Sequence, residues 1–151
     1  MEQGYVSNAL RCSREPYAIP IPDAQVGIPA IVMEMLLYSR PGVVEVLPAL
    51  PKGLKKGSIS GMLARSFARV NKLSWDMDAK TVNIAITSSK KQDVTLIARY
   101  GIEDISAPAG VLGEFTKGKA DCELHLPEKQ TVEIRLKLGN HKPLEWVNQV
   151  V

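Results

Sequence analysis

Cysteine is scarce in this chain, at two residues, Cys12 and Cys122. Their separation matches no metal-ligand spacing, and one pair cannot make the disulfide framework of a small secreted scaffold. A bond between them and two free thiols both stay open; the thiols are favoured, because Cys122 falls in an apolar alternation that reads as core. Aromatic residues make up only 5% of the chain, so few rings are on offer as a sugar platform. The histidines, His125 and His141, stand alone and fit neither a metal motif nor a general-base constellation, and no metal or other cofactor is expected. Neither charge sign dominates: 19 basic against 16 acidic residues give a net +3. With no basic stripe or recognised motif, nucleic acid is excluded as a partner. No apolar run is long. The longest, from Ile28 to Tyr38, is broken by Glu34 and is too short to span a bilayer, so no membrane partner is expected. The first ten residues hold no apolar signal-peptide core, and the compartment stays unknown. No glycine-rich phosphate loop occurs. In Gly57-Ser58-Ile59-Ser60-Gly61 the central residue is Ile59 where a nucleophile elbow needs serine, so that motif is absent too.

What remains is the composition of an ordinary globular protein, 45% hydrophobic and 23% charged. A chain of 151 residues suffices for one domain and barely for two. At that length folding buries roughly 68–70% of the unfolded surface, and no staple is needed.

Residues 1–26 carry Gly4, Pro16, Pro20 and Pro22 and read as an extended arm. Residues 27–40, between Gly27 and Arg40, read as helix. Pro29 fits the first turn, and Pro41-Gly42 stops the run. Ile31, Val32, Met33, Met35, Leu36, Leu37 and Tyr38 make it apolar nearly all round, the mark of a buried helix. It either packs on its own domain or completes a larger helical one.

From residue 43 on the pattern is β-strand. Residues 43–47 form a short strand and residues 48–56 a loop punctuated by proline and glycine. Residues 58–65 resume strand, with Ile59, Gly61 and Leu63 on one face, and residues 67–75 continue it. Asp76-Met77-Asp78-Ala79-Lys80 is a turn in composition. Val82, Ile84 and Ile86 then alternate with polar neighbours. So do Val94, Leu96 and Ala98, then Cys122, Leu124 and Leu126, then Val132, Ile134, Leu136 and Leu138. Residues 101–121 are less regular. The tail, residues 139–151 with Trp146, reads as a last strand or an edge cover. Strict alternation with turns every eight to twelve residues is the signature of an antiparallel sandwich. The expected architecture is therefore mainly β, a Greek-key sandwich over residues 43–151, preceded by one α-helix and a proline-rich arm over residues 1–42.

Four stretches taken in order carry a family resemblance: Glu34-Met35-Leu36-Leu37; Val46-Leu47-Pro48-Ala49-Leu50-Pro51; Gly57 through Arg65, reading GSISGMLAR; and Leu73-Ser74-Trp75. Together they resemble the C-terminal end of glycoside hydrolase family 95, whose members are α-L-fucosidases with some acting on α-L-galactosides. The resemblance implies a last helix of an (α/α)6 catalytic barrel, a linker and a C-terminal β-sandwich. It also implies a parent enzyme of a family often exported. Most of that barrel, with the family's general-acid glutamate, has no counterpart here. The family's QIDGN-type segment aligns with Ile21-Pro22-Asp23-Ala24-Gln25-Val26-Gly27, where Asp23 matches and its flanking residues do not, so Asp23 is the one catalytic candidate the resemblance carries over. The family's ARGGF motif is altered to Ala64-Arg65-Ser66-Phe67-Ala68, and one residue is inserted before Trp75.

Glycoside hydrolysis uses two carboxyl groups flanking the bond. Asp23, Glu34, Glu45, Asp76, Asp78, Glu103 and Asp104 are present without forming a recognisable pair; Asp76 and Asp78 read as turn residues, and Glu103-Asp104 as a solvated loop. The expected role is that of a non-catalytic accessory domain. Its partner would be a helical catalytic domain, or a second copy of the chain, met through the helix between Gly27 and Arg40. Two alternatives stand beside this: a carbohydrate-binding module, and a residual glycosidase acting with a partner chain. Trp75, Tyr100, Phe115 and Trp146 are the candidate sugar-contacting rings, since such rings combine an apolar face with a polar neighbourhood; Trp75 also reads as a packing residue.

Overall fold

The computed structural model describes residues 11–14, 17–20 and 22–140, with side chains from residue 27 onward. The chain divides into two compact units, Met1–Glu34 and Met35–Val151.

In the first unit, β1 (Arg11–Arg14) pairs antiparallel with β2 (Tyr17–Pro20), placing Cys12 opposite Ile19. The arm thus contains a short hairpin where only extended chain was expected. Helix α1 runs Pro22–Leu36, so it begins before Gly27 and stops well short of Arg40. Pro22 takes the first helical position, where its missing N–H costs nothing, while Pro29 sits inside the helix. Ile28, Ile31, Val32 and Met33 are exposed, Ile31 at 61%, although the composition of this helix pointed to burial.

The second unit corrects the expected helix end. Leu37 to Arg40 is strand β3, with Leu37 and Ser39 buried and Tyr38 and Arg40 exposed. It pairs with β4 (Val43–Val46) in the register Leu37↔Val46 to Arg40↔Val43. Pro41-Gly42 is therefore a hairpin turn, and Gly42 at φ +75° supplies a left-handed conformation that a side chain would oppose. Leu47 N–H to Leu36 C=O (2.8 Å) and Ala49 N–H to Met35 C=O (3.2 Å) tie off the open end of this hairpin. A four-residue alternating run is too short to outweigh the helical pattern beside it. Pairing with β4 decides it.

The remaining strands are β5 (Lys56–Ala64), β6 (Ala68–Asp76), β7 (Thr81–Ser88), β8 (Gln92–Ile97), β9 (Ile102–Ser106), β10 (Leu112–Phe115), β11 (Asp121–Leu126) and β12 (Thr131–Leu138). They form two five-stranded sheets, ordered β10-β11-β8-β4-β3 and β5-β6-β7-β12-β9. The chain passes from one sheet to the other after β4, β7, β8, β9 and β11, which gives the interleaved connectivity of a Greek-key sandwich. Val43–Glu45 pairs parallel with Thr95–Ile97; every other ladder within these two sheets is antiparallel.

The inner faces carry the expected residues. Val82, Ile84, Ile86, Val132, Ile134, Leu136 and Leu138 from one sheet, and Val94, Leu96, Cys122, Leu124 and Leu126 from the other, are buried in one core, which Val44 and Val46 of β4 join. At about 1.5–3 kcal/mol for each fully buried aliphatic side chain, this core is the main source of stability. The expected face of β5 is corrected. Ile59 is half-buried, but Leu63 is 82% exposed, and Met62 and Ala64 face the core instead. The cause is an irregularity across two strands. Gly61 adopts φ +77°, and opposite it the β6–β7 register shifts between Val70 and Lys72. An extra residue reverses which side chains face inward beyond it.

Candidate functional site

The candidate carboxylates are engaged in different ways. Glu45 lies on β4 with its side chain 7% exposed, and its two oxygens accept from the guanidinium of Arg99, from Nε and from Nη2 at 3.3 Å. This bond holds the Arg99 pKa above its ordinary value. Tyr38, Arg40, Ile97 and Lys119 line the cleft around the pair. Asp76 accepts from the backbone N–H of Asp78 (3.0 Å) and Ala79 (2.9 Å) and pairs with Lys56 at 3.0 Å. The Ala79 N–H, then the Lys56 ammonium, hold its carboxyl below the ordinary value of 3.8. Asp78 meets Lys55 at 3.6 Å, and Glu103 meets Lys117 at 3.6 Å. Asp23 falls in the first turn of α1; its side chain lies outside the described residues.

The candidate rings separate by burial. Trp75 is buried, donates from Nε1 to the Leu54 carbonyl at 2.9 Å, and packs under Gly57, where a β-carbon would lie 2.5 Å from Cζ2. A ring so covered has no open face for a sugar. Tyr100 and Phe115 are half-buried against the core. Trp146 and His141 lie outside the described residues. Among the described residues the ring most open to solvent is Phe67, 66% exposed beside Leu63. It sits in the β5–β6 turn at φ +56°, with the Lys90 ammonium 4.4 Å from its centroid. A polar strip runs alongside: Asn71 Nδ2 donates to Thr87 Oγ1 at 2.7 Å, and Thr87 and Thr131 share a hydrogen bond at 2.8 Å. The signal was the altered ARGGF motif, whose second glycine position is occupied by Phe67.

One further cluster joins residues far apart in the chain. The β8–β11 register sets Asp93 opposite His125, and Glu123 lies two residues before His125 on the same face. Asp93 Oδ1 is 2.7 Å from His125 Nδ1. Ligand-type atoms of Asp93, Glu123 and His125 all fall within 4.8 Å of one another. The Asp93 hydrogen bond, the largest cause, raises the His125 pKa above 6.5. Each residue alone is unremarkable in the sequence; cross-strand pairing assembles them.

The fold defines an antiparallel β-sandwich module entered through a helix. The family model for the C-terminal domain of glycoside hydrolase family 95 matches residues 38–136, from the second residue of β3 into β12. The chain belongs to the glycoside hydrolase family 95 C-terminal domain family. No curated protein matches the chain.

Proposed function

We propose that the chain serves as the non-catalytic C-terminal accessory domain of an α-L-fucosidase-type glycoside hydrolase, acting by covering and stabilising a helical catalytic domain. The observation that carries this reading is the exposed apolar side of α1. Ile28, Ile31 and Val32 share one side of the helix and are open to solvent, and Met33, further round, is exposed too. Contiguous apolar exposure of this kind marks an interaction surface. A helical catalytic domain supplies the matching surface, and family membership supplies the partner class. In the absence of that partner the same helix drives self-association.

The test mixes the purified chain with a family 95 catalytic barrel lacking its own C-terminal domain. A 1:1 complex, a raised Tm of the barrel and loss of both with Ile31→Asp support the reading. Release of fucose from an aryl α-L-fucoside by the chain alone overturns the non-catalytic role. A clean monomer by light scattering at tens of micromolar overturns the self-association.

A second reading, carbohydrate binding, is favoured by Phe67. An exposed ring beside the Asn71–Thr87–Thr131 strip presents an apolar face and hydrogen-bonding groups together. Saccharide-dependent thermal stabilisation that Phe67→Ala removes would support it.

A further inference from the structure

Gly113 lies within β10, a strand interior where glycine weakens the ladder and offers nothing to pack. Its backbone does not call for glycine, because its φ lies outside the left-handed region. What glycine provides here is space. A β-carbon at Gly113 would stand 2.8 Å from His125 Nε2 and 3.1 Å from Glu123 Oε2. The missing side chain therefore lets an imidazole nitrogen and a carboxylate oxygen converge closely over the strand backbone. A glycine inside a strand often marks such a close approach.

The imidazole is held from behind. Asp93 engages Nδ1 at 2.7 Å, which leaves Nε2 as the free nitrogen. A carboxylate behind a histidine fixes the tautomer and makes the far nitrogen a better ligand. Metal–ligand distances for zinc are about 2.0–2.2 Å to nitrogen and oxygen. An ion bound by both groups sits further out from the Gly113 backbone than that β-carbon position, where the ligand-type atoms of the cluster lie within 4.8 Å of one another. Imidazole with carboxylate suits zinc and its neighbours, while an oxygen-only preference excludes calcium and magnesium.

We propose that Glu123 and His125, set over Gly113 with Asp93 behind the imidazole, form a binding site for a divalent transition-metal ion of the zinc class. The ion takes His125 Nε2 and Glu123 Oε2 as protein ligands and completes its shell with water. The site lies on the outer face of the β8–β11 pair and bridges it to β10.

The experiment titrates ZnCl2 into the untagged, EDTA-dialysed chain by isothermal calorimetry, with Tm followed in parallel. One saturable site and a zinc-dependent rise in Tm are expected, with no response to MgCl2 or CaCl2. His125→Gln abolishes both responses, and Asp93→Asn weakens binding about 10-fold or more. Gly113→Ala pushes the His125 and Glu123 side chains off the strand and weakens binding. Because that variant strains the strand, the His125 ring signals of the unaltered chain are also followed by NMR. Zinc shifts them, with His141 as an internal reference. The proposal is overturned if zinc leaves Tm and the His125 signals unchanged. Zinc taken up equally by His125→Gln overturns it as well, and assigns the ion to other groups such as the Cys12 thiol.

Discussion

The backbone N–H of Arg65 donates to Ser39 Oγ at 2.8 Å. Ser39 lies on β3, at the edge of one sheet, and Arg65 follows β5, at the edge of the other. One buried hydroxyl thus ties the two sheets together where the sandwich would otherwise be open. A net hydrogen bond is worth about 0.5–1.5 kcal/mol, and a stranded donor costs about 1–3 kcal/mol. Ser39→Ala is expected to lower the urea midpoint by an amount equivalent to about 1–2 kcal/mol, with the m-value unchanged.

The neighbouring turn carries a cost at each of two successive residues. Ser66 Oγ is buried and has no hydrogen-bond partner among the described residues. Phe67 holds φ +56°, unfavourable for a bulky side chain. Comparing Phe67→Gly with Phe67→Ala isolates the backbone term, since both remove the ring and its contact with Lys90. The glycine variant is expected to be more stable by about 1 kcal/mol in chemical denaturation. Ser66→Ala is expected to stabilise by about 1 kcal/mol, because it removes a hydroxyl desolvated without return.

Gly57 matters through its neighbour. With Trp75 anchored to the Leu54 carbonyl, the indole cannot retreat from a new β-carbon placed 2.5 Å from Cζ2. Gly57→Ala is expected to cost about 1–3 kcal/mol, the usual range for overpacking. A shifted Trp75 fluorescence maximum in the folded state would report the displaced ring.

Cys122 gives a pH signature. Burial, then the nearby Asp121 carboxylate, pushes its thiol up to about 11 from an ordinary 9.0. The folded state therefore keeps its proton when the unfolded state has lost it. The associated stability is fully present below pH 9 and is lost as pH rises towards 11, with a limiting slope of about 1.4 kcal/mol per pH unit. The difference in urea midpoint between the unaltered chain and Cys122→Val should change over that interval and stay flat below it. Iodoacetamide at pH 8 should label Cys122 only after unfolding.

Much of the sandwich was legible in the order of residues. Alternation in Thr81–Ser88, Gln92–Ile97, Asp121–Leu126 and Thr131–Leu138 is a local property, so it named both the strands and their buried faces. The linker and the strands that follow also carried the family resemblance, and the family match covers the same region. Three features were decided by long-range contact. Leu37 to Arg40 became strand because β4 offered it a partner, against a local pattern continuous with helix. Leu63 turned outward because Gly61 and the irregular β6–β7 register changed the phase midway along β5. Asp93, Glu123 and His125 met because the β8–β11 register, a pairing between strands about thirty residues apart, set them on one face. Periodicity reports which way a side chain points relative to its own backbone. Which backbone lies alongside, and where an extra residue interrupts the ladder, depends on the closure of both sheets over one core.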